Sequence, residues 1–215
     1  MSSPDLPPDA WPWLHDRGRW LASWMFVPFY RVHVHHRERI PVRGAVVVVA
    51  NHSAFVDGPL IFGLLRRRAV FWVKQEMFTG VAGWGLRRIG QLPVRRGEAD
   101  RRPLTAAITV LRGDGLVGVF PEGTRGTGDV AAAEHGAAWL ARTSGARVLP
   151  MVSRGTRPPE GARRRRWRPR VDVVVGEPLT VPAGGGRAGL AAATETLRTE
   201  LAGMVRELDE LRSKA

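Results

Sequence analysis

The sequence predicts an α/β fold in which a largely parallel sheet is flanked by helices and the chain ends in a long amphipathic helix. Three observations lead to this prediction. Short apolar runs alternate along the 215 residues with segments of helical periodicity. The run AVVVVA at residues 45–50 is apolar throughout, which is typical of a strand buried on both faces of a sheet. From Leu190 to Leu211, apolar side chains recur at helical spacing.

The strands and helices are assigned in chain order from these patterns and from their stop signals. The run YRVHVHH alternates and predicts the first strand, and later apolar runs predict the others. The predicted strands are residues 30–36, 45–50, 69–74, 116–120, 147–152 and 171–175. Glycines following the periodic segments at 113 and 145 predict helix ends. The predicted helices are residues 59–66, 75–88 (interrupted by glycines), 102–112, 131–143 and the segment from 190 onward.

Composition narrows the classes of function. The length suits one domain, residues 31–215, preceded by a tail and an N-terminal segment, residues 1–30. The absence of cysteine excludes disulfides, thiolate nucleophiles and cysteine–zinc sites. The formal net charge is +13, almost entirely from arginine, which favours a phosphate-bearing partner such as a lipid headgroup, a phosphorylated substrate or nucleic acid. No cofactor and no metal site is predicted.

The N-terminal segment combines aromatic residues with arginines, a composition suited to the headgroup level of a membrane. The aromatic residues are Trp11, Trp13, Trp20, Trp24, Phe26, Phe29 and Tyr30. The apolar run at residues 20–30 is too short to cross a bilayer. We therefore expect peripheral or monotopic binding to an anionic surface on the cytoplasmic side of the membrane. The alternative is an ordinary helix that packs on the domain.

The run RRRRWRPR at residues 163–170 has two interpretations. It suits binding to anionic lipid or to an acidic protein partner, or it is a solvated loop before a strand. A basic nucleic-acid-binding module is the remote alternative. The sequence contains no recognised nucleic-acid motif, so we expect no nucleic-acid partner.

Four polar residues interrupt the apolar sequence VVVVANHSAFVDGPLIF, residues 46–62, where a strand gives way to a helix: Asn51, His52, Ser53 and Asp57. On a regular helix, His52 and Asp57 would lie about 140° apart and could not meet. They can meet if His52 lies in the turn and Asp57 lies in the first turn of the helix. The carboxylate would then accept one imidazole N–H and leave the other nitrogen free as a base. A helix cap at Asp57 and an ordinary buried histidine are the structural alternatives.

A second polar stretch, VFPEGTRG at residues 119–126, follows a predicted strand. Parallel strands end at the sheet edge where α/β proteins bind ligands, so Glu122, Thr124 and Arg125 are expected on that rim. Gly123 permits close backbone approach, and an arginine fork suits a phosphate. The alternative is a turn with an exposed ion pair. GQLPVRRG and Lys74 add positive charge, while the proline of RVLPMV suits an edge strand or a strand end.

Together, the blocks NHSAFVD, GQLPVRRG, FPEGTR and VLPMV resemble the glycerolipid acyltransferases, in particular the 1-acylglycerol-3-phosphate (lysophosphatidic acid) acyltransferases. The resemblance implies that His52 is the general base and Asp57 its orienting partner. It also implies an acceptor site, an acceptor-phosphate site and an acyl-donor pocket. The implied residues are Glu122, Gly123, Thr124 and Arg125 for the acceptor, Lys74 and Arg96 for its phosphate, and Pro150 for the donor pocket.

The same resemblance implies an acyltransferase domain at residues 31–215. Its donor would be acyl-CoA or acyl carrier protein, and its acceptor a lysophospholipid. Glycerol 3-phosphate, another lysophospholipid and a glycolipid remain alternative acceptors. Arg95 and His135 depart from residues frequent in the family. An acyl thioester is already activated, so a base alone suffices, and the lack of cysteine and of a G-x-S-x-G motif argues against an acyl-enzyme intermediate.

Overall fold

A computed structural model of the chain describes residues 5–95, 101–123, 127–158 and 167–214. Within these ranges the chain forms seven strands and six α-helices. The strands are β1 (Arg31–His35), β2 (Val46–Ala50), β3 (Ala69–Lys74), β4 (Leu92–Val94), β5 (Leu116–Val119), β6 (Arg147–Arg154) and β7 (Arg170–Val175). The helices are α1 (Pro12–Trp24), α2 (Asp57–Leu64), α3 (Gly80–Arg88), α4 (Arg101–Arg112), α5 (Gly136–Ser144) and α6 (Gly186–Ser213).

All seven strands form one sheet in the order β1-β7-β6-β2-β5-β3-β4. The five strands from β6 to β4 run parallel to one another. β7 pairs antiparallel with β6 and parallel with β1, so these two strands run the opposite way. The predicted α/β class, the largely parallel sheet and the long C-terminal helix are confirmed.

Helices cover both faces of the sheet, which explains why β2 is apolar at every position. Val46 and Val48 pack on one face with residues of α1 and α2, among them Ala22 and Ile61. On the other face, the alternate valines of β2 pack against α4, α5 and α6. All five residues of β2 are buried. The sequence pattern of β2 therefore reports its position at the centre of the domain.

Several elements differ from the sequence-based prediction. The helix predicted at 131–143 begins only at Gly136, because Val130 adopts a left-handed backbone and the amide of Glu134 donates to the carbonyl of Pro121 instead of continuing a helix. The last helix begins at Gly186, a few residues earlier than predicted. The short strand β4 was not predicted; three residues containing a proline show no alternation, and pairing with β3 defines the strand.

The prediction of an edge position or strand end for Pro150 is wrong. β6 is an interior strand, and Pro150 pairs with Val49 of β2 in its middle. The missing N–H is tolerated because the antiparallel ladder with β7 begins only at Met151, while Pro150 still accepts a hydrogen bond from Gly176. The β6–β7 ladder does not include Pro150, so no residue of β7 requires the missing N–H.

No helix in the described ranges combines the length and the apolar character needed to cross a membrane.

Candidate active site

The C-terminal ends of the parallel strands bring the candidate residues to one edge of the sheet. β2 ends at Ala50, β5 at Val119 and β6 at Arg154, so the segments that follow them emerge side by side. His52 follows β2, and Glu122 follows β5. This is the edge at which open α/β sheets bind ligands.

His52 and Asp57 are in contact across the turn between β2 and α2. His52 lies in the turn and Asp57 begins the helix, which is the arrangement that lets the pair meet. His52 Nδ1 is 3.4 Å from Asp57 Oδ2, a long hydrogen bond. The Asp57 side chain is fully buried, whereas that of His52 is 16% exposed. The solvent-reachable group of the pair is therefore the imidazole.

Asp57 also closes the turn itself. Its Oδ2 accepts the backbone N–H groups of Ser53 and Ala54, both at 2.7 Å. Burial raises the pKa of the Asp57 carboxyl, but the hydrogen bonds from His52 and from this backbone outweigh burial, so the pKa lies below its usual value. The carboxylate is consequently ionised at neutral pH. It closes the turn and contacts the histidine at once, whereas the predicted alternative of a helix cap is not observed, because the N-terminus of α2 has no side-chain cap.

The imidazole plane is fixed by an aromatic stack. The His52 ring lies on Phe120 with centroids 4.4 Å apart and planes 27° apart, and Phe120 in turn stacks on Phe71 at 6.0 Å. Among the described residues, Nε2 of His52 has no hydrogen-bond partner. With Nδ1 directed to Asp57, Nε2 is the nitrogen available to a substrate proton.

Glu122 is tied to the same turn. Its Oε1 accepts the backbone N–H of His52 at 2.8 Å. Burial raises the pKa of the Glu122 carboxyl, an effect that the hydrogen bond from His52 only partly offsets. Gly123, which follows, has φ = 65°, a left-handed conformation that favours glycine. Glu122 therefore lies at the edge of the sheet where it was predicted, and its carboxyl group contacts backbone.

Asn51 and Ser153 join the ends of β2 and β6 beneath the turn. Asn51 Oδ1 accepts the Ser153 backbone N–H at 2.8 Å, and its Nδ2 donates to the carbonyls of Ser153 and Gly128. Ser153 Oγ also donates to Asp57 Oδ1 at 3.4 Å. Asn51 is completely buried, and all its polar atoms are used. These supports were missed because the sequence shows the motif but not which strand lies beside it.

The remaining predicted residues lie in different environments. Lys74, at the end of β3, is half-exposed and pairs with Glu76 at 3.2 Å. Pro150 is buried in the sheet, beside Val49. Arg96, Thr124 and Arg125 lie outside the described residues, as do residues 163–166 of the arginine run.

The N-terminal helix has two unlike sides. One side packs tightly on α2: a side chain at Gly63 would lie 2.6 Å from the backbone of Ala22. His15 is buried on this side, and Asp16 forms a salt bridge with Arg68 at 2.8 Å. The other side of the helix and the segment after it carry exposed apolar residues, namely Trp13, Trp20, Leu21, Trp24, Met25, Val27 and Phe29.

Comparison with known proteins agrees with this geometry. The family model described as Acyltransferase matches residues 31–154, more than half of the chain. The chain belongs to the acyltransferase family. The expected family is confirmed, and with it the prediction that the chain is an acyltransferase enzyme. The match contains the His52 turn and Glu122 and ends at Arg154.

Three relatives refine the comparison. The 1-acyl-sn-glycerol-3-phosphate acyltransferase of Bacillus subtilis is 28% identical over 188 residues, which cover 84% of this chain and 91% of that protein. The lyso-ornithine lipid O-acyltransferase of Pseudomonas aeruginosa is 34% identical over 97 residues, or 44% of this chain and 36% of that protein. The crystal structure of the 1-acyl-sn-glycerophosphate (LPA) acyltransferase from Thermotoga maritima superposes with a TM-score of 0.71 at 26% identity, covering 91% of this acyltransferase and 79% of that chain.

Proposed function

We propose that this acyltransferase transfers an acyl group from acyl-CoA or acyl carrier protein to the hydroxyl of a lysophospholipid, with 1-acylglycerol-3-phosphate as the acceptor and phosphatidic acid as the product. The observation that carries the proposal is the contact between a buried carboxylate and a partly exposed imidazole whose Nε2 is open. The name of the Bacillus subtilis relative supports the choice of acceptor.

The proposed chemistry needs only one proton carrier. His52 Nε2 removes the proton from the acceptor hydroxyl as its oxygen attacks the thioester carbonyl. Ionised Asp57 holds the Nδ1–H and stabilises the imidazolium. When the tetrahedral intermediate collapses, the C–S bond breaks, and the thiolate takes up the proton from the imidazolium. An ester and a free thiol result, and the histidine is again neutral.

The acceptor phosphate is assigned to three basic residues. Lys74, Arg96 and Arg125 are proposed to bind it, with Glu122, Gly123 and Thr124 completing the acceptor site and Pro150 shaping the donor pocket. An arginine fork matches two phosphate oxygens, which a headgroup without phosphate does not offer. The chain's arginine-dominated charge supports this assignment.

A lyso-ornithine lipid is the second candidate acceptor, because the Pseudomonas aeruginosa relative is named for that substrate. Lysophosphatidic acid carries a phosphate, and lyso-ornithine lipid does not. The test measures transfer from one radiolabelled acyl-CoA to a panel of lysophosphatidic acid, lyso-ornithine lipid, glycerol 3-phosphate and lysophosphatidylglycerol. We expect the highest kcat/KM with lysophosphatidic acid.

Substitution of Arg125 further distinguishes between the two candidate acceptors. Arg125→Ala should raise the KM for lysophosphatidic acid by about tenfold, because a charged hydrogen bond to phosphate is lost. The KM for acyl-CoA should stay near its wild-type value. Higher kcat/KM with the ornithine lipid, or a change confined to acyl-CoA saturation, would reject the proposed acceptor assignment.

The proposed domain division places membrane binding in residues 1–30 and catalysis in residues 31–215. The family match beginning at residue 31 supports the boundary, and the exposed aromatic side of α1 supports the membrane role. An amphipathic helix with one packed side and one exposed aromatic side suits peripheral or monotopic attachment. Because acyl-CoA and acyl carrier protein are cytoplasmic, the surface is assigned to the cytoplasmic side of the membrane.

A further inference from the structure

Arg154, the last residue of β6, joins three separate segments of the chain. Its Nη1 donates to the carbonyl of Thr127 at 2.8 Å, and its Nη2 contacts the carboxylate of Asp129. Nε donates to Asp209 Oδ1 at 2.9 Å, and Nη2 donates to Asp209 Oδ2 at 2.9 Å. Asp209 belongs to α6. The Arg154 side chain is only 13% exposed, so its guanidinium is held between these acceptors.

The turn that Arg154 binds lies directly against the His52 turn. Gly128, at its centre, accepts a hydrogen bond from Asn51 Nδ2 at 2.9 Å and has φ = 79°. A side chain at Gly128 would lie 3.0 Å from Arg154 Nη1, from Asn51 Nδ2 and from Ser53 Cβ. Ser53 in turn donates its N–H to Asp57. A continuous line of contacts therefore runs from α6 through Arg154 and Gly128 to the His52–Asp57 pair.

α6 contacts the same segment at two further points. Arg198 Nη1 donates to the carbonyl of Val130 at 3.4 Å. Thr194 Oγ1 lies 2.9 Å from His135 Nδ1; because the threonine hydroxyl donates to Leu190, the histidine nitrogen is the donor in this contact. The C-terminal helix thus supports residues 127–135 along their length.

We propose that Arg154 is a positioning residue for the His52–Asp57 pair and that Asp209 of α6 holds it in place. This inference rests on the function proposed above. The guanidinium fork meets backbone and two carboxylates at once, which a single ammonium group cannot do. Loss of one carboxylate lets the guanidinium turn away from the Thr127 carbonyl. The Gly128 turn is then free to move away from Asn51 and Ser53.

Loss of the Arg154 contacts should affect turnover rather than substrate binding. A displaced His52 turn moves the base relative to the hydroxyl, while the groups assigned to the acceptor phosphate remain. Small displacements of a catalytic group cost rate steeply. The proposal therefore predicts a lower kcat with all acceptors and little change in either KM.

The test compares Asp209→Asn with Glu210→Gln in the full-length protein. Both substitutions remove one exposed carboxylate charge from the same turn of α6, but only Asp209 contacts Arg154. Asp209→Asn should lower kcat by about tenfold, with both KM values within about twofold of wild type. Glu210→Gln should leave both parameters unchanged.

Amide hydrogen exchange supplies a readout that does not depend on activity. In Asp209→Asn, peptides covering residues 127–130 and 51–54 should exchange faster than in wild type, and in Glu210→Gln they should not. Wild-type exchange in Asp209→Asn, or faster exchange with wild-type kcat, overturns the proposal. If the wild-type protein acylates no lysophospholipid, the function proposed above fails, while the exchange result still decides whether Asp209 holds the turn.

A double-substitution cycle checks that the two residues act as a unit. Arg154→Lys should lower kcat about as much as Asp209→Asn, and the double variant should be no worse than the more impaired single variant. Additive losses in kcat would show that the two residues act independently and would overturn the proposal. Asp209→Glu should recover most of the lost kcat.

Discussion

The His52 turn and the helix α1 each admitted a structural and a functional interpretation from sequence, and the two regions arrange the relevant side chains differently. In the turn, one carboxylate oxygen of Asp57 accepts two backbone N–H groups and contacts the histidine. In α1, the packed side buries His15 and Ala22 while the opposite side exposes its aromatics. The structural contacts and the proposed functional contact coincide on one atom at Asp57, whereas in α1 the packed residues and the aromatics proposed for membrane contact lie on two different sides. Substitutions should therefore separate the roles in the helix but not in the turn.

The largest effect is expected at Asp57, where both roles meet. Asp57→Asn should reduce kcat by up to about 10⁴-fold, because an amide holds the wrong imidazole tautomer. It should also lower the melting temperature, since the neutral oxygen accepts the amides of Ser53 and Ala54 more weakly. Steady-state kinetics and thermal melts check both effects. The matched control is Asp114→Asn, at an exposed site whose φ of 59° asparagine tolerates. Normal turnover in Asp57→Asn would mean that Asp57 only closes the turn.

His52→Ala should lower activity while Asp57 still accepts the backbone N–H groups of Ser53 and Ala54. It should reduce kcat by about 10²–10⁴-fold, the range expected for removal of a general base. The backbone N–H of residue 52 still reaches Glu122, so the turn should persist and the melting temperature should change less than in Asp57→Asn. A folded His52→Ala protein with near-wild-type acyl transfer would rule out the proposed base.

A smaller effect is expected on the exposed side of α1. Trp20→Gln combined with Trp24→Gln should weaken binding to vesicles of phosphatidylglycerol and phosphatidylcholine by about tenfold, because two interfacial aromatics are lost. The melting temperature should stay unchanged, since both side chains are about 60% exposed. Liposome co-sedimentation at low and high salt measures the binding. Point substitutions are preferable to deletion of residues 1–30, which would also remove Phe26 and Tyr30 from the core.

Leu211→Gln is the matched control for the aromatic substitutions. Leu211 is 58% exposed, like the tryptophans, but lies on α6, which packs on the opposite face of the sheet. This variant should sediment with liposomes as wild type does. Equal sedimentation of the tryptophan variant and wild type would assign α1 to packing alone.

The smallest effect is expected on the packed side of α1 and depends on pH. Burial lowers the pKa of His15, against the opposing effects of the Ile89 carbonyl and Asp16. Its neutral ring bonds to the Ile89 carbonyl at 2.6 Å and accepts the Ala69 amide at 3.3 Å. Because the unfolded chain binds the proton more readily, this contribution to stability is present above the unfolded pKa of about 6.5 and is lost as pH falls below it.

Replacement of the histidine should remove part of this pH dependence. The melting temperature of wild type should fall more than that of His15→Asn between about pH 7.5 and about pH 5.5. Thermal melts of the two proteins over this range make the comparison, since the other histidines contribute equally to both. Parallel curves would show that His15 does not titrate over this range.

Features that depend on neighbouring residues were predicted from the sequence, whereas contacts between residues distant in the chain were not. The turn between β2 and α2 is specified within seven residues, 51–57, so the His52–Asp57 contact followed from local geometry. The support by Arg154 and Asp209 joins residues 55 positions apart and carries no sequence pattern. Pro150 was misplaced for the same reason, since only the tertiary pairing reveals that one ladder of an interior strand has a gap there.

The pairing of β1 with β7 has a consequence for the order in which the nascent chain can fold. The strands β2 to β6 pair with one another through ladders that do not include β7. β1 is synthesised first, and among the described strands it pairs with β7 alone, with His33 beside Asp172. At ribosomal rates β1 waits on the order of ten seconds for its partner. During that interval the aromatic segment joined to it is tethered to the growing chain and already outside the ribosome, so the surface proposed for membrane contact is available before the sheet is complete.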